Sequence, residues 1–125
     1  MELTDKEIIR EGNEKIKNFM GKEFMDKNIF INRLPKDVIQ YSENYKLFHN
    51  SWDWLMLVVE KIEKLDLIDE FNIRYDSVAK GNWVQITPAF KDTFNIITTE
   101  VYEKKIDAIY EAVIRFINWY NQYIK

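Results

Sequence analysis

Phe71-Asn-Ile-Arg-Tyr-Asp-Ser-Val-Ala-Lys-Gly-Asn-Trp-Val-Gln-Ile-Thr87 is the stretch on which the fold turns. Its first five residues alternate apolar and polar, the period of a half-buried strand. Lys80-Gly81-Asn82 is a turn signal, and Trp83-Val-Gln-Ile-Thr87 is aromatic and β-branched. The pattern predicts an antiparallel hairpin, with Pro88 at its end because proline cannot donate to a ladder. Phe94-Asn-Ile-Ile-Thr98 offers a third strand.

Helical patterns flank the hairpin. After it, Thr99 to Tyr123 predicts the longest helix, with Ile106, Ile109, Tyr110, Val113, Phe116, Ile117 and Tyr120 as its main apolar face. Ala108, Ala112, Trp119 and Tyr123 form a second strip beside the first. The two strips cover roughly 200° of the helix, about twice an ordinary apolar stripe, so it must touch two things. Glu100 and Glu103 fall at its expected start, where negative charge offsets the helix dipole. Before the hairpin, Ser51 to Leu65 predicts a helix capped by Ser51 or Asp53. Trp54, Leu55, Val58, Val59, Ile62 and Leu65 make its buried stripe, while Glu60, Lys61, Glu63 and Lys64 form a solvated face.

Thr4 to Met20 predicts the first helix. Thr4 and Glu7 have capping-box spacing, and Ile8, Ile9, Gly12, Ile16, Phe19 and Met20 share a face. Gly12 on that face implies close approach by another element, and Gly21 is a natural C-cap. Between Lys22 and Asn50 the pattern is irregular. Asn28-Ile-Phe-Ile-Asn32 reads as a short strand, and Pro35 to Gln40 as a turn or two of helix after the break at Leu34-Pro35. These elements define an α+β fold: a three-layer α-β-α sandwich with a small antiparallel sheet of two to three strands and helices on both faces. One domain spans residues 1–125, a common size for a single domain.

Composition narrows function by exclusion. With no cysteine and one histidine, the chain has no disulfide, no Cys-based zinc site, no thiol nucleophile and no two-histidine metal motif. No cofactor is expected. A net charge of -3 gives no electrostatic reason to expect nucleic acid as partner. No uncharged apolar run approaches the roughly 20 residues that cross a bilayer, and the polar start Met1-Glu2-Leu3-Thr4 is unlike a signal peptide. The expected location is the cytoplasm.

Three segments carry a resemblance. They are Asn13-Glu-Lys-Ile-Lys-Asn-Phe-Met-Gly21, His49-Asn-Ser-Trp-Asp-Trp-Leu-Met-Leu-Val-Val-Glu-Lys-Ile-Glu63 and Ile106-Asp-Ala-Ile-Tyr-Glu-Ala-Val-Ile-Arg-Phe-Ile-Asn-Trp-Tyr-Asn121. In order and wording they resemble the phage alpha-beta-alpha (ABA) sandwich domain family, small proteins of phages and integrated prophages with no established activity. Ser51-Trp-Asp-Trp-Leu-Met56 is the most specific part. Leu57 departs from the pattern, since the family usually has proline there. The resemblance implies a sheet between helical layers, a phage-related origin and, for a phage-encoded chain, the host cytoplasm. It implies no catalytic residue.

Two groups of residues remain as candidates. His49, Trp52 and Asp53 place a base, a ring and a carboxylate at a helix start, a candidate small polar pocket for an anion. The competing assignment is helix capping and ring packing. A hydrolytic reading that adds Ser51 fails, because neighbours around a helix start diverge rather than converge. The second group is Phe116, Trp119, Tyr120 and Tyr123. Its arc is too wide for one contact, and Trp and Tyr dominate binding hot spots. This group predicts either a packed helix or a protein–protein contact, including self-association. Gly81 alone cannot cradle phosphate, a task for several glycines at fixed spacing. The favoured function is a non-enzymatic interaction module, with small-molecule binding near His49 as the alternative.

Overall fold

A computed structural model describes residues 6–21, 47–90 and 95–124. In chain order the described elements are α1 (Lys6–Met20), a short α2 (Leu47–Asn50), α3 (Trp52–Lys64), β1 (Ile68–Asp76), β2 (Gly81–Pro88), β3 (Ile97–Thr98) and α4 (Lys105–Tyr123). The sheet is antiparallel throughout, in the order β1-β2-β3. Helices flank it, as a small α+β sandwich requires. Thr4, Asn28–Asn32 and Pro35–Gln40 lie outside the described residues, so the capping box, strand and helix expected there do too.

The hairpin is longer than its alternating core. Pairing runs from Ile68 opposite Pro88 to Asp76 opposite Gly81, with an irregularity between Ile68 and Glu70. The turn is closed by Asp76, whose Oδ1 accepts the backbone N–H groups of Val78 (2.9 Å) and Ala79 (3.1 Å). Short polar side chains favour turns through such local bonds. Gly81 therefore opens β2 instead of making the turn. A Cβ there would lie 2.5 Å from Val101 Cγ1 and 2.9 Å from the Tyr102 carbonyl oxygen, so glycine is set by close backbone approach.

Val84 and Ile86 on β2 and Ile97 on β3 point into the core, with Phe71 of β1 against them. They meet Ala108, Ile109, Ala112, Val113, Phe116 and Ile117 of α4, and the expected α3 stripe of Trp54, Leu55, Val58, Val59 and Ile62. Ser51 caps α3, its Oγ accepting the Trp54 N–H at 3.4 Å, while Asp53 sits in the first turn. Over most of its length α4 thus has partners: the sheet, α3 and, on a further side, α1; the Tyr123 end of its second strip stays exposed.

Three expectations shift. The last helix begins at Lys105, not Thr99, and of the described residues of the expected third strand, 95–98, only Ile97–Thr98 are strand, Phe94 lying outside the described residues. The run from Thr99 to Tyr102 stays extended because the sheet claims it. Thr99 Oγ1 accepts the Val84 N–H (2.9 Å), and Asn82 and Tyr102 exchange backbone bonds at 2.6 and 2.7 Å. Glu100 and Glu103 therefore precede the helix, and Asp107 is the acid of its first turn. In α1, Ile8 faces solvent, and the buried face runs through Ile9, Gly12, Asn13, Ile16 and Phe19.

Candidate functional site

The C-terminal half of α4 carries the aromatic group. Phe116 is fully buried and meets Phe19 of α1 edge to face at 6.3 Å between ring centroids. Tyr120 is half-buried against the same Phe19 at 5.4 Å. Edge-to-face pairs of this kind add roughly 0.5–1.5 kcal/mol beyond their buried area. Trp119 is also half-buried, 5.6 Å from Phe116, and the Tyr123 ring lies 6.3 Å beyond it. Tyr123 is 66% exposed, and Ile124 beside it is exposed too. The four residues thus divide. Phe116 belongs to the core, Tyr120 to the seam with α1, and Trp119 with Tyr123 forms an apolar step at the surface.

Lys61 braces this region. Its Nζ donates to the Phe19 carbonyl and stands 4.6 Å from the Phe19 ring centroid. A cation there satisfies a carbonyl of the last turn of α1 and meets the negative end of its dipole. Burial pushes the Lys61 ammonium below its ordinary value.

The residues at the start of α3 do not converge. His49, in α2, faces inward: Nδ1 lies 3.4 Å from Asn13 Nδ2, and its ring meets Tyr110 edge to face at 6.2 Å. Trp52 is 45% exposed and Asp53 is exposed, both on the first turn of α3. His49 thus joins a buried polar seam, while Trp52 and Asp53 meet water.

That seam was missed by sequence reasoning. The Tyr110 hydroxyl, from α4, lies 2.9 Å from both the Ile9 carbonyl and Asn13 Oδ1. Burial raises the Tyr110 pKa well above the ordinary tyrosine range. The one sequence signal was Gly12, which leaves the space the hydroxyl enters. A second polar group sits one residue further along α4, on another side of the helix. Glu111 Oε1 accepts from the Tyr102 hydroxyl (2.7 Å) and the Glu100 N–H (3.3 Å), and Glu111 Oε2 pairs with Arg115 at 3.6 Å. Arg115 also donates to the Thr98 carbonyl. Burial, then the hydrogen bond and charge of Glu111, hold the Tyr102 hydroxyl protonated far above its usual range. Only Glu111 and Arg115, four apart on a helix, announced a link in the sequence.

Both polar groups tie α4 to its neighbours. Among the described residues no group of three or more His, Asp or Glu side chains could hold a metal ion. No described helix is long and apolar enough to cross a membrane. The molecule is a small mixed α+β domain whose helices flank an antiparallel hairpin sheet. No family model, no curated protein and no solved structure matches the chain.

Proposed function

We propose that this chain is a non-enzymatic protein-interaction module of phage or prophage origin, working in the cytoplasm of the host cell. The observation that carries the interaction reading is the surface step of Trp119 and Tyr123, two rings 6.3 Å apart, with Tyr123 66% exposed at the end of α4. Rigid aromatic rings bury large area at low entropy cost, which is why they anchor protein contacts. Phe116 and Tyr120 anchor the step from below, through Phe19. The origin rests on the three segments that resemble the phage ABA sandwich domain family.

The test is affinity capture with two baits, the parent chain and a Trp119→Ala, Tyr123→Ala double variant. A partner held by the parent and lost by the folded double variant supports the reading. Retention equal in both baits overturns it. Because Tyr123 is largely exposed, Tyr123→Ala alone should leave the unfolding free energy within about 0.5 kcal/mol of the parent, so lost capture there reports contact and not unfolding.

A further inference from the structure

We propose that two copies of this chain pair edge to edge through β1, antiparallel about a twofold axis at Asn72, joining their hairpins into one continuous sheet. This surface is separate from the aromatic step on α4. The strand β1 is nine residues long and lies at one end of the strand order, bonded to β2 alone among the described strands. Among the described residues no other strand pairs with its outer edge, whose backbone donors and acceptors stand in a row, a template for another strand.

The side chains fit a second copy of the same strand. On the face shared with Val84 and Ile86, β1 carries Phe71, Ile73 and Tyr75. Coverage thins towards the turn: Phe71 is half-buried, Ile73 is 40% exposed and Tyr75 is 62% exposed. On the opposite face it carries Glu70, Asn72 and Arg74, and the Arg74 guanidinium lies 5.4 Å from the Trp83 ring centroid. A twofold at Asn72 sets Phe71 opposite the partner's Ile73 on one face. On the other it sets Glu70 opposite the partner's Arg74, twice. Directly opposed apolar residues and opposed unlike charges both stabilise a ladder, whereas like charges disrupt it.

Register decides between this pairing and its neighbours. Centring on Phe71 sets Glu70 against Asn72, and centring on Ile73 sets Glu70 against Asp76, two carboxylates. A centre at Tyr75 brings Arg74 to Asp76, but Asp76 already bonds Val78 and Ala79, and the partner would run into the turn. The pairing at Asn72 keeps all five residues from Glu70 to Arg74 inside the regular ladder beyond the irregularity at Ile68. Exposed ion pairs add little affinity. The charges therefore select the register, and the backbone ladder with Phe71 and Ile73 supplies the association.

Charge reversal tests this with solution mass, measured by light scattering over a dilution series reaching about 1 mM, a range suited to so small an interface. The parent chain should be a dimer at the concentrated end and dissociate on dilution. Glu70→Arg and Arg74→Glu should each weaken dimerisation by about tenfold or more, because each converts two attractive oppositions into two repulsive ones. The Glu70→Arg, Arg74→Glu double variant should recover it. Mixing the two single variants should yield a heterodimer, with arginines of one copy facing glutamates of the other. The Trp119→Ala, Tyr123→Ala variant should dimerise like the parent, which separates this surface from the α4 reading. A parent that stays monomeric throughout, a dimer indifferent to both reversals, or single variants that fail to associate on mixing each overturn the proposal.

Discussion

At the scale of single residues, the molecule is organised by what small side chains leave open. Gly12 sits on α1 where a Cβ would collide with the Tyr110 hydroxyl and stand 3.0 Å from its ring carbon Cζ. The glycine is conspicuous because it gives up about 1 kcal/mol of helix propensity relative to alanine. In return the hydroxyl reaches the Ile9 carbonyl and Asn13. Gly12→Ala should therefore destabilise the fold by roughly 1–3 kcal/mol, overpacking outweighing the propensity gain. Tyr110→Phe removes the colliding oxygen, so the pair of changes should cost less than the sum of the two alone. Urea denaturation of the four chains reads this coupling directly, and strict additivity would show that α1 and α4 are not in this contact. The role of Gly12 was legible from its place on an apolar face. Its partner was not, because Tyr110 lies far along the chain, and Asn13 on the buried face contradicts simple apolar periodicity until that partner is known.

At the scale of elements, the hairpin and the α3 stripe follow closely from periodicity, because one buried face imposes the period on the sequence. The start of α4 does not. Thr99 to Lys104 has the composition of a helix start, with Glu100 and Glu103 well placed for the dipole, yet it is held against β2. Non-local hydrogen bonds to Val84 and Asn82 decide the matter, and no local pattern encodes them. Thr99→Val, which keeps the shape and removes the acceptor, should leave the buried Val84 N–H unsatisfied. The expected cost is about 1–3 kcal/mol, with faster amide exchange at Val84 than in the parent. Unchanged exchange there would mean the hydroxyl is dispensable and the backbone bond from Thr99 N–H to the Val84 carbonyl suffices. The candidate sites show the same division. The exposed Tyr123 end of α4 was visible as a wide apolar arc, whereas the inward turn of His49 depends on α2, a four-residue helix with no periodic signal.

At the scale of the whole molecule, two buried tyrosines should make stability fall in alkali. Tyr110 and Tyr102 have hydroxyl pKa values above the ordinary value near 10, Tyr110 through burial and Tyr102 through burial and Glu111. A group with a raised folded-state pKa contributes its full stabilisation below the unfolded value. That contribution is lost as pH climbs towards the folded value, since the unfolded chain gives up its proton first. The unfolding free energy should thus decline above about pH 10, by at most about 1.4 kcal/mol per pH unit for Tyr110 and by less for the less deeply set Tyr102 hydroxyl. Tyr110→Phe should flatten that decline while lowering stability at neutral pH. The lowered ammonium of Lys61 acts with the opposite sign, so comparing the variant with the parent isolates the tyrosine. A decline of equal steepness in the variant would assign the effect to other groups.

The bond between the Tyr110 hydroxyl and the Ile9 carbonyl joins residues 101 positions apart. Synthesis follows chain order: α1 leaves the ribosome well before the α4 wall it leans on. Until then the Ile9, Ile16 and Phe19 face of α1 has no α4 to cover it, while the hairpin has its two strands close together in sequence. Closing so long a loop is the slow kind of step. Assembly of this domain should therefore wait on α4, and until it docks the face of α1 that it covers is a greasy flank only partly shielded by α2 and α3.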